Sequence, residues 1–232
     1  MNTSLLDDIR QGNIKALSRG ISLLVNNEDT YFDNDSFVAK IPVIGITGPP
    51  GAGKSTLTDK LIAQFVRADN TVAVLCVDPS SPFTHGAILG DRIRMSDWYN
   101  HPQVFIRSLA TRGSLGGLPP KAAEIISLVK QSSFDIIIIE TVGVGQNEVE
   151  IATLSDITVV VLVPESGDDI QLMKAGLMEI GDIFVVNKCD RPGADQFANE
   201  IKQSAKNKTV IKTIANTNVG VGELYSYINN KF

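Results

Sequence analysis

The sequence predicts an α/β fold in three layers, with helices on both faces of a mostly parallel central sheet. Three features carry that expectation. Seven short apolar runs, at 43–47, 71–77, 104–106, 135–139, 158–163, 183–186 and 210–214, are rich in β-branched residues and continuous rather than alternating. Strands buried on both faces read this way. Longer stretches with helical spacing separate them, notably 55–67, 121–130, 170–180 and 196–206, and strand–helix–strand repetition specifies parallel pairing with right-handed crossovers. The first run ends in a glycine-rich loop that opens directly into a helical stretch, which is where such sheets bind ligands.

Ahead of the first strand, Leu5, Leu6, Ile9, Ile14, Leu17, Ile21 and Leu24 fall at helical spacings, with Gly12 and Gly20 as candidate breaks. A polar stretch over 26–40 follows. The expected organisation is therefore a helical leader and linker over 1–40, then an α/β domain over 41–232. A chain of 232 residues can bury a full core without staples. Its two cysteines, Cys76 and Cys189, form no C-x-x-C pair, and His85 and His101 are its only imidazoles. That argues against disulfide scaffolds, zinc ribbons and His-rich metal stores. A net charge of −5 offers no basic footprint for nucleic acid. No apolar run approaches the roughly 20 residues of a membrane span, and the acidic N-terminus has no signal pattern. The expected location is the cytoplasm, with no nucleic acid or membrane partner.

The loop Gly48-Pro49-Pro50-Gly51-Ala52-Gly53-Lys54-Ser55 matches G-x-x-x-x-G-K-S. Its glycines let successive backbone N–H groups converge on a phosphate, and the helix that follows adds its positive end. Lys54 can reach β- and γ-phosphates, and the Ser55 hydroxyl can ligate Mg²⁺. Asn187-Lys188-Cys189-Asp190 follows the 183–186 run and matches N-K-x-D. A carboxylate at Asp190 accepts from guanine N1–H and N2–H₂ together, whereas adenine offers an acceptor at N1 and no N2 amine. Charge-assisted bonds of about 1.5–3 kcal/mol each make that discrimination large, so the nucleotide is GTP or GDP. Glu140-Thr141-Val142-Gly143 ends another run. Glu140 can hold Mg²⁺ through water, and Gly143 can give its N–H to the γ-phosphate. Asp78 and Asp91 are further candidate ligands, but magnesium takes only one or two protein ligands directly. Ser55, Asp78, Asp91 and Glu140 therefore compete, and Asp91 is equally placed to cap a helix over 92–98.

These loops together define a P-loop NTPase, and longer strings narrow it further. D-P-S-S-P-F at 78–83, G-D-R-I-R-M at 90–95, A-T-R-G-S-L-G-G at 110–117, E-T-V-G-V-G-Q-N at 140–147 and G-D-D-I-Q-L-M-K-A-G-L-M-E-I at 167–180 resemble the MeaB/ArgK/MMAA-type GTPases over about 42–224. The resemblance implies a SIMIBI-like G domain with GTP/GDP and Mg²⁺. It also implies a GTPase chaperone for adenosylcobalamin-dependent acyl-CoA mutases such as methylmalonyl-CoA mutase. Such proteins gate cofactor loading by an adenosyltransferase and protect or rescue the mutase. Carried over, Gly48, Pro49, Pro50, Gly51, Ala52, Gly53, Lys54, Ser55 and Thr56 bind phosphates, with Ser55, Asp91 and Glu140 around magnesium. Asn187, Lys188 and Asp190 bind the base, joined by Ile214, Ala215 and Asn216 where the family has a Ser-Ala element. The Ala215 N–H is expected to meet the guanine oxygen. Switches are expected at 78–95 and 143–150, and 165–174 is the segment that communicates with the mutase. Family members carry a C-terminal dimerisation arm; with the chain ending at Phe232 little length remains for one, leaving a homodimer through paired G domains as an alternative.

For hydrolysis, Lys54 stabilises charge, and Gln146 and Asp91 compete as positioner of the attacking water. Arg92, Arg94, Arg107 and Arg112 read as solvated or partner-facing, Met173 and Met178 as core filler, and Cys189 has no assigned role. Slow intrinsic turnover, accelerated by a partner, is expected. The competing readings are a nickel-delivery GTPase of the urease or hydrogenase maturation type, a kinase linked to amino-acid transport, and a module that only holds GTP. The first lacks its Cys/His cluster here, and N-K-C-D speaks against ATP in the second.

Overall fold

The computed structural model describes residues 3–26, 40–78, 92–111, 118–141, 149–166 and 176–232. Asp91, Gly143 and Gln146 lie outside the described residues, as do His85, Arg112, Met173 and most of the three expected switches. Among the described residues the elements are α1 (Thr3–Arg10), α2 (Ile14–Val25), β1 (Val43–Thr47), α3 (Lys54–Arg67), β2 (Val72–Asp78), β3 (Val104–Ala110), α4 (Ala122–Lys130), β4 (Ile136–Glu140), α5 (Val149–Leu154), β5 (Ile157–Leu162), α6 (Leu177–Ile180), β6 (Ile183–Val186), α7 (Ala194–Ser204), β7 (Thr209–Lys212) and α8 (Val221–Asn229). Short 3₁₀ turns cover Arg92–Trp98, Pro164–Ser166 and Ala215–Thr217.

All seven strands pair in parallel in the order β3-β2-β4-β1-β5-β6-β7. β1 is thus central, and its pairing with β4 sets Ile46 opposite Glu140 while its pairing with β5 sets Thr47 opposite Val160. Alternate residues of each strand feed two separate cores. Ile44, Ile46, Val74, Ile136, Ile138, Val159 and Val161 pack under α3 and α8, through Leu57, Leu61, Phe65, Leu224 and Ile228. On the opposite face Val43, Ala73, Leu75, Ile137 and Ile139 meet α1, α2, α4 and α5, while Val160, Leu162 and Phe184 meet α7. The three-layer expectation is met.

The N-terminal helices belong to the second layer: Ile9, Leu17, Ile21 and Leu24 are buried with Phe105, Ile125 and Leu128. Each such side chain contributes about 1.5–3 kcal/mol by leaving water. Gly12, at φ +81°, ends α1, and Asn13 starts α2 by accepting from Lys15 and Ala16 N–H. Gly20, a candidate break in the sequence, is instead buried inside α2. Gly45 on β1 allows close approach of α5, since a Cβ there would sit 2.8 Å from Ile151 and Ser155.

A repeated device fixes the amino edge of the sheet. Asp135, Asp156 and Asp182, each followed by the isoleucine that opens a strand, turn a carboxylate onto a neighbouring strand's first free N–H. Asp135 accepts from Thr71, Asp156 from Val43 and Asp182 from Thr158, all at 2.8 Å. A one-residue slip would flip every side chain to the wrong face, so three charged brackets hold the register.

Two elements differ from expectation, and a third is described only in part. β3 runs on through Arg107 and Ser108 to Ala110, because it is an edge strand whose outer positions tolerate polar groups; Arg107 donates to Ser22 Oγ at 2.8 Å. Of the helix expected over 170–180, the described part is α6 alone. The segment after residue 91 is a 3₁₀ turn kinked at Met95, whose side chain is fully buried, and Trp98 ties it to α3 by donating to Asp59 at 2.7 Å.

Candidate nucleotide site

The loop 48–53 crosses the carboxyl edge of β1 between β4 and β5, and Gly48 and Gly53 are sterically required there. Gly48 has φ +138°, and a Cβ would lie 2.0 Å from the Val161 carbonyl oxygen. Gly53 has φ +92°, and a Cβ would lie 2.4 Å from Asn187 Nδ2. Gly53, immediately before α3, has no side chain with which to cap the helix. Pro49, Pro50, Ala52 and Thr56 complete the turn, with Ala52 buried and Thr56 half-buried. The Lys54 side chain is 7% exposed and folds back into the loop, donating to Gly48 O at 2.7 Å and Pro49 O at 3.0 Å. Its charge is thus held at the loop's centre.

Ser55, on the first turn of α3, donates to Glu140 Oε1 at 2.6 Å across 85 residues of sequence. Both are buried, as is Asp78 at the end of β2, where Cys76 stands opposite Glu140. A serine hydroxyl and two carboxylates are hard oxygen donors, the set that suits a hard divalent cation with waters completing its shell. The residues fit magnesium on that ground. Among the described residues there is no group of three or more His, Cys, Asp or Glu that could hold a metal by themselves. On the other face of the same strand ends, Thr141 Oγ1 donates to Thr47 Oγ1 at 3.0 Å.

Asn187 joins the phosphate loop to the base loop. Its side chain is 2% exposed, donates to Ala52 O at 2.9 Å and accepts from Thr213 Oγ1 and Ala215 N, each at 3.0 Å. Lys188, at φ +58°, donates to Gly51 O at 2.6 Å. Asp190 is exposed at the mouth of the loop. Ile214 is held by Val219 O, and Asn216 is exposed beside it in the same turn. The Ala215 N–H, expected to face a base oxygen, already has Asn187 Oδ1 as acceptor. Cys189 packs half-buried beneath, its thiol donating to Val186 O at 3.0 Å and pushed above the ordinary thiol range by burial. Glu165, after β5, is held below the ordinary carboxylate range by the hydrogen bond from Arg191, the residue after Asp190.

Thr213 and the Thr47–Thr141 pair were not singled out from sequence. Thr213 is wholly buried; besides its hydroxyl bond, its N–H donates to Val186 O and its carbonyl accepts from Cys189 N. Its position immediately before Ile214-Ala215, at the end of the last strand, is the one signal that could have marked it.

A family profile described as methylmalonyl-CoA mutase-associated GTPase MeaB matches residues 36–232. The chain belongs to the MeaB family. A provisionally named GTPase of Pyrococcus horikoshii is 46% identical over 242 residues, covering 97% of this chain and 75% of that one. GTPase ArgK of Escherichia coli is 45% identical over 147 residues, covering 63% of this chain and 44% of ArgK. The fused isobutyryl-CoA mutase of Geobacillus kaustophilus is 37% identical over 215 residues, covering 87% of this chain and 20% of that one. Among solved structures, the LAO/AO transport system kinase superposes with TM-score 0.76 at 25% identity, covering 99% of this chain and 76% of that one. The hydrogenase maturation factor HypB of Archaeoglobus fulgidus, at 20% identity and TM-score 0.62 over 82% of this chain and 89% of HypB, shares the fold. This MeaB-family protein is a GTPase, with the P-loop fold of the SIMIBI class.

Proposed function

We propose that this MeaB-family GTPase is a chaperone that gates adenosylcobalamin loading into an acyl-CoA mutase and protects the loaded enzyme. The observation that carries the reading is the fused isobutyryl-CoA mutase, in which a segment 37% identical to this chain occupies a fifth of the polypeptide. Covalent joining of a G domain to a mutase is what selection favours when the two act on each other. A mutase of the same chemistry is the expected partner here, with an adenosyltransferase as cofactor donor. No helix among the described residues is long and apolar enough to cross a membrane, in keeping with a cytoplasmic setting.

At the site, Gly48 to Thr56 would cradle the phosphates, Asp190 would read guanine from below its N1 and N2 positions, and Asn187 and Lys188 would brace the two loops together. Ser55 and Glu140, with Asp78 and Asp91 as further candidates, would hold Mg²⁺, and the ion would supply positive charge to neutralise the phosphates. Lys54, now bonded to Gly48 O and Pro49 O, would exchange those carbonyls for a phosphate, a stronger, charged acceptor. Attack by water needs a positioner, for which Gln146 and Asp91 are the candidates, and turnover is slow until a partner accelerates it.

The test is capture of a purified cobalamin-dependent acyl-CoA mutase by the immobilised protein in the presence of GDP, GTP or a non-hydrolysable GTP analogue. Nucleotide-dependent retention, with hydrolysis accelerated by the mutase, is expected. Failure to retain any such mutase in any nucleotide state would refute the chaperone assignment.

A further inference from the structure

Two buried hydroxyls sit where packing alone calls for none. Thr47 is fully buried and Thr141 nearly so, at strand ends that otherwise present isoleucine and valine, and each hydroxyl loses water on folding. A valine pair would fill the same volume without that loss, so the pair must be accounted for by direction rather than by burial. The direction is specific. In the β1–β4 register Ile46 stands opposite Glu140, which puts Thr47 level with Thr141. The last ladder bond of this pairing runs from Thr141 N to Ile46 O at 3.0 Å, and Thr141 Oγ1 then donates to Thr47 Oγ1 at 3.0 Å. Residue alternation turns Ile136, Ile138 and Glu140 toward α3, where Ser55 waits, and Ile137, Ile139 and Thr141 toward the opposite layer. The end of β4 is therefore gripped from both faces, by Ser55 on Glu140 and by Thr47 on Thr141.

We propose that Thr141, through its hydroxyl bond to Thr47, is a positioning residue for the cation site: it fixes the backbone at 140–141 so that Glu140 keeps facing Ser55. Thr47 immediately precedes Gly48, so the same bond ties the strand carrying Glu140 to the root of the phosphate loop. The inference rests on the reading that Ser55 and Glu140 hold Mg²⁺. Removing the hydroxyl leaves the ladder bond and the packing in place. It frees the side-chain bearing of Glu140, so the loss falls on magnesium and spares the nucleotide's own contacts.

The experiment compares T141V, T141S and T47V with the wild type by titrating fluorescent GDP in EDTA and at graded Mg²⁺, after thermal melting has verified folding. In T141V the Mg²⁺ concentration for half-maximal tightening should rise about tenfold, while the affinity in EDTA stays within about twofold. T141S should restore the wild-type Mg²⁺ response, and T47V should reproduce T141V; if T141V does not fold, T47V carries the comparison. A wild-type Mg²⁺ response in both valine variants, equal weakening with and without Mg²⁺, or failure of T141S to rescue would each overturn the proposal. A wild-type protein whose GDP affinity ignores Mg²⁺ would instead remove the cation site itself, which separates the two failures.

Discussion

Replacing Asn187 with alanine should disconnect the two halves of the nucleotide site. The side chain makes three buried hydrogen bonds, to Ala52 O, from Thr213 Oγ1 and from Ala215 N, at 2.9, 3.0 and 3.0 Å. Each bond contributes about 1 kcal/mol net, and a buried partner left without one costs about 1–3 kcal/mol. The Thr213 hydroxyl can rotate to another acceptor, but the Ala52 carbonyl and the Ala215 N–H belong to fixed backbone. The expected destabilisation is about 3 kcal/mol. In a chain of this size that corresponds to a fall in Tm of about 6–12 °C. Urea unfolding of nucleotide-free protein measures it, with K188A as the comparison. The Lys188–Gly51 bond is exposed, so its loss should cost less than about 1 kcal/mol. Guanine nucleotide affinity should fall with N187A even at temperatures where the protein is fully folded, because the phosphate and base loops lose the bond from Asn187 to Ala52 O. A loss below about 1 kcal/mol in N187A, or one matched by K188A, would refute the view that this side chain joins the loops.

Glycine substitutions in the phosphate loop should separate by position. G48A places a Cβ 2.0 Å from Val161 O and should cost more than about 2 kcal/mol, whereas at Gly51 nothing lies within 4 Å and G51A should cost about 1 kcal/mol for its φ of +75° alone; parallel urea melts decide. D156A removes the charged acceptor from Val43 N–H and should destabilise by about 1.5–3 kcal/mol, with faster amide exchange at Val43. Glu165, held low by Arg191, stabilises the fold above the ordinary glutamate value and loses that contribution as pH falls through its depressed folded value. The stability difference between wild type and E165Q should thus be present at pH 7, fade below about pH 4 and shrink in high salt, and at half-exposed side chains it should not exceed about 1 kcal/mol. A difference that persists at pH 3 would assign it to something other than the ion pair.

Much of this arrangement could be read from residues. The strands declared themselves because continuous β-branched runs fit burial on both faces, and G-x-x-x-x-G-K-S and N-K-x-D mark loops whose backbone geometry restricts residue choice. What escaped was weakly patterned or non-local. α8 carries Gly222 and buries only Val221, Leu224 and Ile228 over nine residues, and among the described side chains of α5 one, Ile151, is fully buried. The tail of β3 hides behind Arg107 and Ser108, which only an edge position explains. Asp135, Asp156 and Asp182 look like surface acids until strand order reveals whose N–H each one meets. Sequence nominated Ser55 and Glu140 separately, but their contact depends on β4 lying beside β1, and Thr141 gains meaning only through the same adjacency.

The strand order also has a bearing on how the protein is made. β1 lies between β4 and β5, and the carboxylate that brackets its first N–H is 113 residues further along the chain. At a synthesis rate of about 5–20 residues per second, that bracket emerges about 6–23 s after the strand it must hold. For most of that interval, until β4 emerges from Ile136 onward, β1 and the phosphate loop have neither neighbour. β2 and β3 emerge before either neighbour of β1, so they can pair with each other before β1 can dock. The nucleotide pocket is therefore among the last features a nascent chain completes, and ligand cannot assist the earlier steps.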